Sequence, residues 1–277
     1  MIPARGEKMD RLLIVEKLVK GYERTRALGA KKEVMALQDV SFSIGRALTL
    51  ALVGESGSGK STLALCAACL ERPTSGRVVF DGKEITALDE KQLRGVRPQI
   101  QLVFQDPARS LNPRFSAIEI VGEPLVVQGR LDKRERESRA RALLAQVGIP
   151  QVKALHKAEE FSGGQRQRLA IARALALEPR LLILDEALSA LDCSVQAQIA
   201  NLLIELQVLL GLTYLFISHD LAMAGHLANE IAVMERGNVV ELGSAERVLR
   251  APEQEVTRRL IAATPRMGAV DNVPRVV

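Results

Sequence analysis

The chain has 277 residues, 47% of them hydrophobic and 26% charged, which is ordinary for a globular protein that buries a sizeable core. Its formal net charge of +5 is spread along the sequence, with Lys and Arg mixed among acidic residues, and aromatic residues make up only 3%. This composition disfavours a nucleic-acid-binding protein, because such proteins need clustered basic residues or aromatic side chains on which bases stack.

No apolar run approaches the roughly 18 residues that span a bilayer. The N-terminal residues carry charges but lack the apolar segment of a secretory signal. The cysteines, Cys66, Cys69 and Cys193, are compatible with a reducing compartment, and the single C-x-x-C pair has no second pair with which to bind zinc or a cluster. We therefore expect a protein that stays in the cytoplasm unless another protein holds it at a membrane.

The first third of the chain predicts antiparallel strands, then a buried strand and a helix. Residues 11–22 and 36–44 alternate apolar and polar side chains, as strands with one buried face do. Residues 47–54 are typical of a buried strand that enters a glycine loop, and residues 60–70 predict the helix after it. The Asp-Gly pair within residues 76–85 predicts a β-hairpin.

The middle of the chain, from about residue 106 to 165, has the character of a helical insertion. Prolines interrupt its first part, and residues 132–148 form a mixed-charge amphipathic helix pattern that ends in glycine. A loop and a helix up to Pro179 follow. Two further buried strands are predicted at residues 180–187 and 212–220.

The C-terminal part predicts a hairpin that turns at Gly237-Asn238 and a short helix capped by Ser244. Structural signals become weak after Pro252. Because buried strands alternate with helices, the sequence indicates an α/β fold built on a mainly parallel sheet.

Residues 54–61, GESGSGKS, fit the phosphate-binding pattern G-x-x-x-x-G-K-[ST] between the predicted strand and helix. The glycines let backbone N–H groups surround a phosphate, Lys60 reaches the β- and γ-phosphates, and Ser61 is placed to bind Mg²⁺. The alternative is a glycine–serine turn with a surface lysine, which the flanking strand and helix disfavour. We expect nucleotide contacts from Gly54, Glu55, Ser56, Gly57, Ser58, Gly59, Lys60, Ser61 and Thr62.

A second motif, LLILDE, supplies acidic residues for a metal and hydrolysis site. Asp185 ends an apolar strand pattern, where its carboxylate can bind Mg²⁺ directly or through water. Glu186 follows it and can polarise an attacking water. An acidic strand end is common by itself, but beside a phosphate loop these two residues predict hydrolysis of a nucleoside triphosphate.

The stretch FSGGQRQR, residues 161–168, predicts a second anion site. A helix N-terminus behind Ser-Gly-Gly presents backbone N–H groups to an anion but has no lysine or metal of its own. One nucleotide does not need two phosphate loops from one chain. This half-site therefore makes sense only where another surface brings the anion.

The motifs GESGSGKST, VFQDP, FSGGQRQR, LLILDEALSALD and FISHD occur in the order found in ATP-binding cassette (ABC) ATPases, and the chain resembles that family over nearly all of residues 9–250. The resemblance implies a P-loop NTPase (RecA-like) core with a mainly parallel sheet and an N-terminal antiparallel β subdomain. It also implies a helical subdomain at about residues 106–165, a C-terminal tail at residues 251–277, and ATP and Mg²⁺ as nucleotide and metal.

In that family two ATPase domains pair head to tail, and each nucleotide lies between the phosphate loop of one domain and the signature loop of the other. The resemblance therefore implies that Ser162, Gly163, Gly164 and Gln165 contact the γ-phosphate held by a partner chain. ATP would then hold the two chains together, and the pair would loosen after hydrolysis.

Four further residues take their roles from the resemblance. Gln105 would contact Mg²⁺ or water and link the site to the helical insertion, and His219 would lie near the γ-phosphate. Asp192 belongs to the loop between the two sites. Tyr22 matches the aromatic residue that stacks on adenine, with surface packing as the alternative. The catalytic residues are thus Glu186, His219 and Gln105, and the metal ligands Ser61, Gln105 and Asp185.

A narrower resemblance is to the ATPases of dipeptide, oligopeptide and nickel importers, carried by residues 103–125 and by Phe161, where the broad family has Leu. The tail departs from that branch, because it keeps Pro252 and Thr257 but lacks a His-Pro-Tyr-Thr core. The implied partners are a second ATPase subunit, identical or more often a sister chain, and two transmembrane permease subunits that the Pro107–Pro124 region would meet. An extracytoplasmic solute-binding protein would act indirectly, and no nucleic acid is expected.

The implied location is peripheral, on the cytoplasmic face of the cell membrane. Three alternatives compete with transport. A soluble ABC-type ATPase acting on nucleic acid or ribosomes would carry two cassettes or a long coiled-coil insertion, and neither pattern is found. A P-loop kinase would form ADP only with a phosphate acceptor. A nucleotide-binding module without hydrolysis is disfavoured by the presence of Glu186 and His219.

Overall fold

The computed structural model of the protein describes residues 11–25, 31–106, 110–129 and 131–263. The described residues form two β-sheets and a set of helices. The strands are β1 (Arg11–Thr25), β2 (Lys31–Gly45), β3 (Thr49–Val53), β4 (Ser75–Phe80), β5 (Lys83–Glu84), β6 (Ile100–Val103), β7 (Leu181–Asp185), β8 (Thr213–Ser218), β9 (Glu230–Glu235) and β10 (Asn238–Ser244). The helices are α1 (Lys60–Ala67), α2 (Glu90–Leu93), α3 (Ala117–Gln128), α4 (Lys133–Gln146), α5 (Gly163–Leu175), α6 (Cys193–Leu210), α7 (Leu221–Leu227), α8 (Ala245–Arg250) and α9 (Glu255–Ala263).

The larger sheet has six strands in the order β10-β9-β3-β8-β7-β6. All neighbouring pairs are parallel except the β9–β10 hairpin. Strands β3 and β8 are buried along their whole length, and β7 is buried except at Asp185. Continuous apolar strands are expected where both faces of a parallel sheet are covered. The predicted α/β fold with a mainly parallel sheet is confirmed.

The smaller sheet is antiparallel, with the strand order β2-β1-β4-β5, and this too agrees with the sequence. Its apolar side chains share a core with one face of the larger sheet. On β3, Leu50 and Leu52 point into that shared core, whereas Ala51 and Val53 belong to the core on the opposite face, beneath the helices. The two-residue period of a strand thus lets β3 join two separate cores.

The Asp81-Gly82 hairpin connects the two sheets. Both residues have positive φ, 50° and 76°, as the predicted tight turn requires. The Asp81 carboxylate accepts hydrogen bonds from Arg46 and from Arg180, which immediately precedes β7. These two guanidinium groups hold the pKa of Asp81 below its ordinary value. The hairpin is therefore attached by charge to the strand that ends at Asp185.

Several predicted boundaries differ from the structure, and β2 begins at Lys31 rather than near residue 36. Helix α1 ends at Ala67 rather than near residue 70, because Cys69 adopts a left-handed conformation with φ 52°. The last hairpin turns at Arg236-Gly237, one residue earlier than predicted, with φ 48° and 83°. The N–H of Gly237 donates to the Ser58 carbonyl, so this turn is fixed by a contact with the phosphate loop. The helix that starts after Ser244 is as predicted, with the Ser244 hydroxyl accepting from the Arg247 N–H.

Among the described residues, helix α6 alone is long and apolar enough to cross a membrane by length and composition, with 18 residues and a mean hydropathy of 1.3. It is not an unbroken apolar run, because Gln, Asn and Glu residues interrupt it. Its inner residues nevertheless belong to the core, and polar contacts fix it there. Tyr214 Oη donates to the Leu203 carbonyl at 2.8 Å, and Gln207 Nε2 donates to Thr49 Oγ1 at 2.9 Å. These contacts attach the inner face of α6 to β8 and β3, whereas Val208, Leu209 and Leu210 at its end are exposed.

Helix α9, which no sequence signal predicted, lies in the segment assigned to the tail. Its second and third residues, Val256 and Thr257, are buried, and Thr257 is fully enclosed. The carboxylate of Glu241 on β10 accepts from the N–H groups of Glu253 and Gln254 and from Thr257 Oγ1, at 3.0, 3.1 and 2.5 Å. Glu241 thereby satisfies N–H groups that the start of a helix leaves without partners. The domain boundaries remain a prediction, and Met9, Asp10 and the end of the tail lie outside the described residues.

Replacing Glu241 with Gln should loosen α9, because an amide nitrogen would then face N–H donors in a buried site. We expect the backbone amides of α9 to exchange hydrogen about tenfold faster or more, measured by mass spectrometry. The control is Glu246→Gln, which removes only an exposed ion pair with Arg250. Equal exchange in the two variants would show that Glu241 does not hold the helix.

The same contact has a pH dependence with a defined sign. Burial opposes the charge, but the three hydrogen bonds outweigh it and hold the pKa of Glu241 below its ordinary value of 4.5. The contribution to docking of α9 is therefore complete above that pH and is lost as the pH falls through the lower pKa of the folded state. Exchange of α9 should accelerate over that acidic range in the natural chain and less so in Glu241→Gln.

Candidate active site

The phosphate loop runs from the end of β3 to the start of α1, between close neighbours. A Cβ atom on Gly54 would overlap the carbonyl oxygen of Met234 on β9, and one on Gly59 would overlap the carbonyl oxygen of Ala36 on β2. Gly59 also has φ 106°, which favours glycine. The loop thus rests against two other strands by backbone contact, while Gly57 faces open space. This arrangement leaves a backbone-lined cradle of the kind that takes a phosphate.

Lys60, the first residue of α1, is buried beneath the loop. Its Nζ donates to the carbonyl oxygens of Gly54 and Glu55, each at 2.8 Å, and lies 3.4 Å from Ser58 Oγ. Burial lowers the pKa of Lys60, while the charges of Glu186 and Asp185 oppose this. The ammonium is therefore positioned inside the cradle by the loop's own carbonyl groups.

The predicted metal ligands Ser61 and Asp185 meet in the structure. Ser61 Oγ donates to Asp185 Oδ1 at 3.2 Å, and burial raises the pKa of that carboxyl. A hydroxyl and a carboxylate fit Mg²⁺, which takes few protein oxygens and completes its shell with water and phosphate. The described residues contain no cluster of three or more His, Cys, Asp and Glu side chains that could hold a metal.

Glu186 and His219 follow adjacent strands, β7 and β8. Glu186 has the strained φ of 47°, and its N–H donates to the Ile217 carbonyl at 3.0 Å. Its Oε2 lies 3.8 Å from His219 Nδ1. The structure thus places the predicted catalytic carboxylate and imidazole side by side, with the imidazole more exposed.

Gln105 does not contact Ser61 or Asp185 in this structure. Its Nε2 lies 3.4 Å from Ser189 Oγ, and that hydroxyl donates to the Glu186 carbonyl at 2.9 Å. Sequence reasoning missed Ser189 as a neighbour of the site. No periodicity or motif spacing indicates the contact, because it joins residues 84 positions apart.

The signature residues start α5. Ser162 is its N-cap, and its hydroxyl accepts from the Gln165 N–H at 3.4 Å while the Gln165 side chain accepts from the Ser162 N–H at 3.3 Å. This capping box defines the start of the helix that the sequence predicts after the Ser-Gly-Gly loop. Among the described residues, no hydrogen bond or ion pair joins Ser162–Gln165 to Gly54–Thr62.

The signature glycines pack on residues on either side of Asp192. A Cβ on Gly163 would lie 3.5 Å from Leu191, and one on Gly164 would overlap Cγ1 of Val195. Asp192 caps α6, with its Oδ1 accepting from the Val195 N–H at 3.0 Å. Asp192 and the signature loop are thereby held next to each other in one chain.

Tyr22 lies on β1, paired in register with Val34 of β2. Tyr22 is 37% exposed, and the Nζ of Lys20 lies 4.9 Å from the centroid of its ring. Loop residues 54–62 and Tyr22 are connected through β2, because Ala36 lies against Gly59.

Comparison with known proteins agrees with this geometry. A family model described as "ABC transporter" matches residues 37–189. The chain is 48% identical over 258 residues to a Sinorhizobium fredii protein named "Probable peptide ABC transporter ATP-binding protein", covering 92% of this chain and 73% of that one. It is 45% identical over 258 residues to the "Oligopeptide transport ATP-binding protein" of Mycobacterium tuberculosis. That alignment covers 93% of this chain and 42% of the longer protein.

Solved structures give the same result. A dimeric ATP-binding cassette in a post-hydrolysis state bound to ADP and Pi has a TM-score of 0.75 and 32% identity, covering 84% of this chain and 98% of its own. A component of an ABC transporter complex from Clostridium perfringens has a TM-score of 0.76 and 32% identity, with 94% and 98% coverage.

Substituting Gly164 with Ala should destabilise the protein by about 1–3 kcal/mol, the usual cost of overpacking. The reason is the overlap with Val195, a β-branched residue whose rotation in a helix is restricted. Adding Val195→Ala should recover part of that loss in chemical denaturation. The control Gly122→Ala adds a Cβ that meets nothing within 4 Å and should be neutral or stabilising. A double variant no more stable than Gly164→Ala would contradict this packing.

Proposed function

The chain belongs to the ABC transporter family of ATPases, and from this we propose that it is the ATP-hydrolysing subunit of a membrane importer for peptides or a related small solute. One observation carries the proposal. Lys60, the Ser61–Asp185 pair and the Glu186–His219 pair all stand at the carboxyl ends of β3, β7 and β8. The names of the relatives, which refer to peptide and oligopeptide transport, support the choice of solute.

In this proposal the loop N–H groups and Lys60 bind the β- and γ-phosphates of ATP. Ser61 and Asp185 hold Mg²⁺, which supplies charge neutralisation on the phosphate oxygens. Glu186 accepts a hydrogen bond from the attacking water, and its backbone attachment to Ile217 fixes where the carboxylate points. His219 lies beside it at the edge open to the γ-phosphate.

We further propose that hydrolysis needs a second ATPase chain, identical or a sister. Within the described residues the signature loop shares no hydrogen bond with the phosphate loop, and its helix start offers an anion site without a lysine of its own. Head-to-tail pairing would bring Ser162, Gly163, Gly164 and Gln165 to the partner's γ-phosphate. The dimeric state of a structurally similar cassette supports this arrangement.

Two transmembrane permease subunits would hold the protein at the cytoplasmic face of the membrane, with an extracytoplasmic solute-binding protein delivering the solute. Next to Gln105, a cavity of about 350 Å³ is lined by Phe104, Glu123, Pro124 and Val127. Phe104 and Val127 are exposed apolar residues there. This surface supports the helical insertion as the permease contact, although Pro107 lies outside the described residues.

Substituting Glu186 with Gln should reduce ATP hydrolysis by about 10²-fold or more, because an amide cannot accept the proton of the attacking water. ATP binding should persist, so that Mg²⁺ and ATP convert the variant to a dimer, alone or with a copurifying sister ATPase. Light scattering after size exclusion measures this. The control is the double variant Glu186→Gln with Lys60→Ala, which should remain monomeric under the same conditions. A Glu186→Gln chain that stays monomeric in both preparations would overturn the shared-nucleotide arrangement.

The transport role itself is tested by purifying the tagged chain from its native membranes in detergent. We expect two permease proteins in the complex, and ATP hydrolysis that rises when a peptide-loaded solute-binding protein is added to the reconstituted complex. Copurification with ribosomes or RNA, removed by ribonuclease, would instead favour the alternative of a soluble ABC-type ATPase acting on nucleic acid.

A further inference from the structure

We infer that Lys20 is a positioning residue for the nucleotide base, because its ammonium group fixes the Tyr22 ring and ties it to the end of the phosphate-loop helix. This rests on the proposed function, in which Tyr22 stacks on adenine. Lys20 would thereby help the site to distinguish a nucleoside triphosphate from a bare polyphosphate.

The first observation is the placement of the ammonium group. Lys20 Nζ lies 4.9 Å from the centroid of the Tyr22 ring, within the range of a cation–π interaction. The strand pairing shifts register on both sides of Lys20. Such irregularities redirect side chains locally. Lys20 therefore lies over one part of the ring, and Tyr22 as a residue is 37% exposed, which leaves surface for a base.

The second observation is where else the ammonium group is held. Nζ donates to Glu71 Oε1 at 2.5 Å and to the Arg72 carbonyl at 2.7 Å, and the Lys20 side chain is only 12% exposed. Burial opposes its charge, but the hydrogen bond and charge of Glu71, followed by Tyr22, hold the pKa of Lys20 above its ordinary value of 10.5. The group is therefore a permanent cation with fixed partners.

The third observation is what those partners belong to. Glu71 and Arg72 closely follow α1, the helix whose first residues are Lys60 and Ser61. The backbone on each side of Lys20 is fixed to the same segment, because the Gly21 N–H donates to Thr74 Oγ1 at 3.0 Å and the Thr74 N–H donates to the Val19 carbonyl at 2.8 Å. The ring and the phosphate loop are thus held at the two ends of one short helix.

This arrangement has a functional consequence. A base gains more from stacking on a ring that is already fixed, because less conformational freedom is lost on binding. The phosphates, in contrast, are bound by Lys60 and the loop, which Lys20 does not contact. Loss of the Lys20 cation should therefore weaken the base contribution and leave the phosphate contribution unchanged.

The test compares ATP with inorganic tripolyphosphate, which has no base. Lys20→Met keeps the apolar stem and removes the charge. We expect its KM for ATP to rise about two- to fivefold, with kcat and the affinity for tripolyphosphate unchanged. Lys20→Arg should restore the natural KM. The matched control is Lys17→Met, an exposed lysine of the same strand, which should change neither ligand.

Tyr22→Ala separates the inference from the function on which it rests. In that background Lys20→Met should have no further effect on the KM for ATP. If Tyr22→Ala weakens ATP relative to tripolyphosphate but Lys20→Met does not, the role of Lys20 is overturned and stacking stands. If Tyr22→Ala itself leaves this preference unchanged, the proposed adenine stacking by Tyr22 is wrong.

If Lys20→Met weakened the binding of ATP and of tripolyphosphate equally, Lys20 would have a general structural role and the inference would be overturned. Should Lys20→Met fail to fold, Glu71→Gln decides the question, because it releases the ammonium without removing it. A raised KM for ATP with unchanged tripolyphosphate affinity in Glu71→Gln supports the inference, and unchanged values for both ligands overturn it.

Discussion

The parallel strands β3, β7 and β8 end at one edge of the sheet, and this shared edge is the constraint on which the site depends. Hydrogen bonding fixes their register, with Val53 opposite Ser218 and Asp185 opposite Ile217. The phosphate loop, the Asp185–Glu186 pair and His219 leave the sheet from those ends. Side chains more than a hundred residues apart in sequence therefore converge without any local signal that joins them.

The segment from Glu186 to Asp192 connects most of the remaining parts of the site. Its first residue is the catalytic carboxylate of the proposal, and its last caps α6. Between them Ser189 contacts Gln105, and Leu191 lies against the first signature glycine. A shift of this short segment would therefore move Glu186 and change its contacts with Gln105 and with the signature loop. The segment thus forms a continuous set of contacts from Gln105 to Glu186 and to the signature loop.

Two polar side chains act as attachments between parts of the chain that local sequence does not relate. Lys20 joins β1 to the residues after α1, and Glu241 joins β10 to the start of α9. Both are partly or fully buried, and each is satisfied by several hydrogen bonds, as buried charged groups must be. They position elements that carry or adjoin function without belonging to a recognisable motif.

The sequence by itself determined the phosphate loop, the family and most strands of both sheets, but it did not predict β6. The physical reason is local. Continuous apolar runs mark strands buried on both faces, and a Gly-rich turn followed by Lys-Ser marks a loop whose backbone N–H groups can bind phosphate. It also predicted that Ser61 and Asp185 would lie together, because Asp185 ends a strand and Ser61 is near the start of a helix, each of predictable direction.

Only the tertiary structure decided how those parts are held. The contact of Gly164 with Val195, the link from Gln105 through Ser189 to Glu186, and the capping of α9 by Glu241 are all contacts between distant segments. Helix α9 escaped sequence reasoning because its stability comes from a carboxylate on another strand. The position of helix α6 is likewise decided by contacts with distant strands, namely Tyr214 with the Leu203 carbonyl and Gln207 with Thr49. These features depend on long-range packing, which leaves no periodic pattern in the sequence.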